Sequence, residues 1–207
     1  MADGVPVLLP LSLLEAVQNI DTPPDDGLGA LEQELAAKRL GLSPTVAAQV
    51  ARYRGMLGSG GEVADEEAVA IFRLVGRRPD AGLVYADGGR RAARYAGKRL
   101  SVGSRGLIAA APGRAGTVLG LRAAGRLARR WLLADLRESE RGARCEMSDS
   151  IALRGREDGT GCQFYHAAIG ELLRVVAGLE WAVTHTACRG RGDATCVWHA
   201  AASGNYE

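Results

Sequence analysis

The hydrophobic period of this chain changes once, in its last third, and that change limits the folds open to it more than any other feature. Before it, apolar residues recur at helical steps. Leu28, Leu31 and Leu35 share a stripe that Gly41 would close, and Ser43-Pro44 offers an N-cap and a first-turn proline to a helix carrying Val46, Val50 and Tyr53. Asp65 can cap a third helix with Val69, Phe72 and Val75, and two longer helices are expected at about 80–100 and 114–137. After the change, 144–153 reads as a strand and 162–178 as a helix striped by Phe164, Tyr165, Ala168, Ile169, Leu172 and Val176. Segments 181–186 and 195–200 read as two strands joined by a tight turn. Helices first and a sheet afterwards predict an α+β fold, helices packed on an antiparallel β-sheet, rather than alternating α/β units.

Residues 1–26 hold four of the seven prolines, with the cluster Asp21-Thr-Pro-Pro-Asp-Asp, around one short amphipathic piece at 11–20. They are read as an arm, disordered alone or packed on a partner subunit, that leads into a helical region at 27–78. The opening residues lack the basic region and cleavage site of a secretory signal. The most apolar internal stretch, 107–125, is broken by Pro112, Arg114 and Arg122. A cytoplasmic protein without a membrane span is expected. Gly58-Ser-Gly-Gly61 lacks the Lys-Ser/Thr of a phosphate-binding loop.

The net charge of +2 conceals an asymmetry: residues 77–141 carry 15 Lys/Arg against 5 Asp/Glu, whereas residues 1–76 carry 5 against 11. The basic middle suits an anionic ligand, nucleic acid or an acidic partner, or is simply a solvated arginine-rich helix face. Two helices there carry rows of small residues, Gly88, Gly89, Ala92 and Ala96 on the first and Gly116, Gly120 and Ala124 on the second. Glycine costs helix propensity, so such rows imply close helix contact or room for something flat against the backbone.

Cys162, His185, Cys188 and Cys196 form the pattern C-x22-H-x2-C-x7-C. A structural zinc site takes four nitrogen or sulfur donors in a tetrahedron, commonly from short pairs in turns. A thiolate at a helix N-terminus, as at Cys162, is favoured by the unpaired amides there. Strict strand alternation would put His185 and Cys188 on opposite faces, so the cluster requires the strand to end or bulge by about residue 187. Buried cysteines packing as small hydrophobes, or a disulfide, are the competing readings. His199 is a substitute for His185, and Cys145 falls outside the cluster.

The segments "GCQFYHAAIGELLR" and "HTACRGRGDATCVW" together resemble the 4-vinyl reductase domain. That family is shared by bacteriochlorophyll 4-vinyl reductase proteins and the sensory domains of phenol- and xylene-responsive activators. Cys162, Cys188, Gly192, Asp193, Cys196 and Trp198 occupy the family's positions; the likeness is specific over about 144–200 and weaker over 80–143. In the sensor branch three cysteines and an acidic residue hold a structural zinc. Here His185 stands in the acidic position. The resemblance implies a ligand-binding domain over 79–202, with a fold similar to the small TRAPP-complex subunits, often dimeric.

It also implies a hydrophobic small-molecule ligand, a tetrapyrrole of bacteriochlorophyll synthesis for the free-standing members, which the length fits best. Hydride transfer to a vinyl group needs a nicotinamide or flavin, and the sequence has no Gly-rich dinucleotide fingerprint. Binding or hand-off is therefore expected ahead of catalysis, which would borrow its reductant from a partner enzyme. A sensory module for an aromatic effector, acting through a transcription partner without touching nucleic acid itself, is the third reading. By position against the sensor branch, Met147, Asp149, His166 and Val183 would line the pocket, with Trp131 from the basic helix and Arg126 and Arg130 meeting carboxylates. Trp131 and Val183 also read as plain core, and His166 as a partly exposed helix residue or a ligand to a central Mg.

Overall fold

The computed structural model describes residues 4–22, 40–140, 142–178 and 180–202. Among them are eight α-helices, a four-stranded antiparallel sheet and a two-stranded ribbon, the α+β arrangement that the change of period predicts. None of these helices is long and apolar enough to cross a membrane.

Helix α1 (Leu8–Asp21) corrects the reading of the N-terminus as an arm. Every residue from Leu8 to Val17 is buried, Ser12 and Glu15 included, so the helix packs against its own chain. The prolines that suggested an arm occupy permitted places. Pro6 lies in strand β1 (Val5–Pro6), paired with β2 (Glu62–Val63), and Pro10 lies in the first turn of α1. The stripe of Leu28, Leu31 and Leu35 falls outside the described residues. Gly41 sits in a 3₁₀ turn (Leu40–Leu42), where its N–H bonds the Asp21 carboxylate at 2.8 Å and an added Cβ would lie 2.7 Å from the Val17 carbonyl. It is a point of close approach to α1.

Helix α2 (Pro44–Leu57) begins as its sequence implies, with the Ser43 hydroxyl accepting from the Val46 N–H and proline in the first turn. Helices α3 (Asp65–Gly76) and α4 (Ala81–Lys98) follow. A short helix α5 (Val102–Ala110), not anticipated from sequence, precedes α6 (Gly113–Leu127). The glycine rows are occupied by neighbouring backbone. A Cβ on Gly89 would overlap the Phe164 carbonyl oxygen, one on Gly120 would come within 2.8 Å of Ala177, and one on Gly125 within 2.6 Å of the Leu136 carbonyl. Close packing is thus what these glycines serve.

The helix expected to reach residue 137 stops earlier. α6 runs into a π-helical turn (Ala128–Leu132), Leu133 adopts φ 54° and ψ 34°, and strand β3 (Asp135–Ser139) begins. The expected strand 144–153 divides into β4 (Gly142–Met147) and a short helix α7 (Ile151–Gly155), capped where the Ser150 hydroxyl accepts from the Leu153 N–H. α8 (Cys162–Ala177), β5 (Trp181–Ala187) and β6 (Cys196–Ala202) lie where expected, and the sheet order is β3-β4-β6-β5. Its inner face, with Leu136, Cys145, Trp198 and Ala200, packs beneath α8 and α6; its outer face carries Arg137, Arg144 and His199. One contiguous core runs from Val5 to Ala200.

Candidate metal centre

Cys162 opens α8, where its N–H bonds the Gly159 carbonyl at 3.0 Å. His185 comes from β5, whose register with β6 slips by one residue between His185 and Ala187. This bulge at Thr186 is what the sequence required. It returns Cys188 to the face that His185 occupies. Beyond it, a 3₁₀ turn (Arg189–Arg191) and Gly192 at φ +99° reverse the chain so that Cys196 enters on β6.

The turn is fastened from inside. The Asp193 carboxylate accepts the Cys188 N–H at 2.6 Å, and the Arg189 N–H points at the Cys196 sulfur at 3.4 Å. Gly159, at φ +81°, lets the loop before α8 lie on the hairpin: an added Cβ would be 2.9 Å from the Cys188 sulfur, and a Cβ on Gly190 would overlap the Gly159 backbone. Sequence spacing gave no hint of this glycine-on-glycine contact, because the two residues are brought together only by the fold.

The ligand atoms of Cys162, His185, Cys188 and Cys196 all lie within 4.8 Å of one another. The Cys162 sulfur is 3.7 Å from that of Cys188 and 3.8 Å from that of Cys196. Thiolates about 2.3 Å from a tetrahedral ion stand about 3.8 Å apart, whereas a disulfide requires about 2.05 Å. The spacing is therefore that of metal ligands. All three cysteines are buried. Burial, then the neighbouring Cys196 and Cys188 sulfurs, pushes the Cys162 thiol well above the ordinary thiol range, overriding the favourable helix terminus expected from sequence. Burial likewise raises Cys196. Three buried sulfurs facing one another can ionise together only around a compensating cation.

The fourth member is prepared for the same role. Burial, assisted by the Arg191 charge, lowers the His185 pKa and keeps the imidazole neutral. Its ring is bonded to the Ala187 backbone, while its buried Nε2 has no hydrogen-bond partner. A neutral imidazole with one nitrogen fixed by backbone and the other unsatisfied is the form a metal takes. His199 is exposed on the outer sheet face and is no substitute. Cys145 lies outside the cluster, its thiol pushed up to about 12 chiefly by burial. The donor set could hold a metal ion.

The residues expected to line one ligand pocket are divided among separate recesses. His166 and Val183 share a recess of about 270 Å³ between α4, α8 and β5, with Arg90 and with Trp181, whose buried Nε1 has no hydrogen-bond partner. Met147 and Asp149 border an open groove of about 630 Å³ along β3 and β4, lined by Asp135, Arg137, Arg144 and Glu146. Arg126 and Arg130 face a third recess of about 370 Å³. Trp131 is half-buried between the guanidinium groups of Arg99 and Arg130, 4.8 and 5.5 Å from its ring centroid.

These groups stay apart because aromatic side chains fill the space under α8. Phe164 meets Phe72 and Tyr165 edge-on at 5.3 Å, and Tyr165 packs toward Trp198 at 6.1 Å. His166 is half-buried and held neutral by burial alone. Among the described residues the Cys/His cluster is the one group of three or more clustered donors, and His166 lies outside it. Trp181 was missed from sequence, where it reads as an ordinary strand opener.

No protein-family model, no curated protein and no solved structure matches this chain.

Proposed function

We propose that this chain is a zinc-stabilised small-molecule-binding protein of the 4-vinyl reductase type. The observation that carries the reading is the Cys₃His cage, buried and spaced for a tetrahedral ion, on the helix start and hairpin that bear the family likeness. Three thiolates and an imidazole suit zinc, and four protein donors leave no open position for catalysis. The metal's task is then to tie β5 and β6 to the start of α8.

For the ligand, the family likeness favours a tetrapyrrole intermediate of bacteriochlorophyll synthesis, bound or handed over rather than reduced. A specific observation favours a second reading, a sensory module for an aromatic effector. The recess at His166 and Val183, about 270 Å³, is at the small end of the roughly 300–1,000 Å³ of ligand pockets and suits a single ring. Trp181 and His166 supply its aromatic walls.

A titration with a panel of Mg-porphyrins and phenols, followed by tryptophan fluorescence, tests both readings. Saturable quenching by porphyrins supports the pigment-binding reading. Quenching by phenols alone, lost in His166→Ala, moves the assignment to the sensor. Turnover of a divinyl pigment with NADPH and no added protein would overturn the binding role in favour of a reductase.

A further inference from the structure

Three features meet at the end of α6. The helix widens into a π turn, a deformation enriched at functional sites. Leu133, the residue that follows, is the one non-glycine residue with positive φ among those described, and its apolar side chain is 44% exposed. A left-handed backbone is unfavourable for a residue with a Cβ. Finally, Arg126, Arg129 and Arg130 line one recess of about 370 Å³ whose remaining walls are Gly4, Pro6, Glu62 and Leu133.

Several other arginines are paired with carboxylates. Arg78 is held by Asp21 and Asp80, Arg94 and Arg174 by Glu171, and Arg154 by Asp65. In the recess only Arg129 has a carboxylate, Asp135 at 3.0 Å. Arg126 and Arg130 form no ion pair among the described residues; Arg130 instead lies over Trp131, which Arg99 flanks as well. Glu62 is held against Gly4, where a Cβ would come 2.5 Å from its carboxylate, and it pairs with none of the three arginines. Three arginines around one recess, two of them without an ion pair among the described residues, favour an anion with oxygens to bridge them. Leu133 and Pro6 supply the apolar wall beside it.

We propose that this recess binds the oxyanion end group, carboxylate or phosphate monoester, of an amphipathic small molecule whose apolar body lies on Leu133. The site rests neither on the metal nor on the tetrapyrrole reading; a pigment carboxylate is one member of the class. Full-length protein titrated calorimetrically with octanoate, octyl phosphate and octanol tests it. One or both acids should bind saturably and the alcohol should not, with the tighter acid naming the end group. Arg126→Ala/Arg130→Ala should weaken acid binding by about tenfold or more. Alanine is a good helix former, so the helix persists. Arg114→Ala/Arg122→Ala, removing two other cations of α6, should change nothing. Failure of both acids to bind, equal binding of octanol, or affinity unaltered in Arg126→Ala/Arg130→Ala would overturn the proposal.

Discussion

The imidazole of His185 lies flat on the indole of Trp198, ring centroids 4.5 Å apart and planes 7° from parallel, across a register pair of β5 and β6. The stack fixes the ring whose donor nitrogen lies among the cysteine sulfurs, and Trp198 is wholly buried. Trp198→Ala should therefore cost about 3–5 kcal/mol in chemical denaturation. It should also weaken metal binding about 10–100-fold, as loss of a ligand's support does. Trp198→Phe keeps a face for the imidazole and should retain most of the affinity in competition with a chelator. Equal metal affinity in all three proteins would show that the stack does not position His185.

The contact between α4 and α8 depends on the missing side chain of Gly89. Gly89→Ala should force the helices apart and cost several kcal/mol, in the range of overpacked cores at about 1–3 kcal/mol or more. Gly106, in the middle of α5, has nothing within 4 Å of an added Cβ. Gly106→Ala should stabilise by about 0.5–1 kcal/mol through helix propensity. Denaturation midpoints moving in opposite directions check both; movement in the same direction contradicts the assignment of Gly89 as a packing glycine.

Acid should loosen the joint between α1 and the start of α4. Burial on its own would raise the Asp21 carboxyl. The bonds from Arg78 at 2.7 and 2.9 Å and from the Gly41 N–H outweigh it and hold the group below its usual range. Asp80 is lowered mainly by its bonds to Arg78. A carboxyl that binds protons more weakly in the folded than in the unfolded state adds stability above its unfolded pKa, about 3.9, and loses it as pH falls through the folded value. Stability should thus decline below about pH 4. Asp21→Asn should be weaker at pH 7 by about 1–3 kcal/mol and show a shallower acid limb. An unchanged acid limb would contradict the linkage.

Much of the C-terminal third was legible in the sequence. The α8 stripe, both hairpin strands and even the bulge near residue 187 follow from period and ligand geometry. The helix start at Ser43-Pro44 was equally plain. The end of α6 was hidden because the chain turns at Leu133, in a conformation that glycine or asparagine would have advertised and leucine does not. The amphipathic piece at 11–20 was visible, but its burial within its own chain was hidden because the prolines around it suggested an arm, although they sit where prolines are tolerated. The glycine rows pointed to close packing or a flat ligand, and only the position of Phe164 and Ala177 decided between them. The ligand residues were the least legible part. Their spacing cannot tell which recess each will face once aromatic side chains occupy the space between α8 and the sheet.

The proposed zinc ion would sit among Cys162, His185, Cys188 and Cys196 and tie the hairpin to α8. Elemental analysis of purified protein, set beside Cys196→Ser and Cys145→Ser, tests it most directly. About one zinc per chain is expected in the wild-type protein and in Cys145→Ser, and less than about half in Cys196→Ser. A wild-type protein without stoichiometric zinc, or a zinc content unaltered in Cys196→Ser, would contradict it.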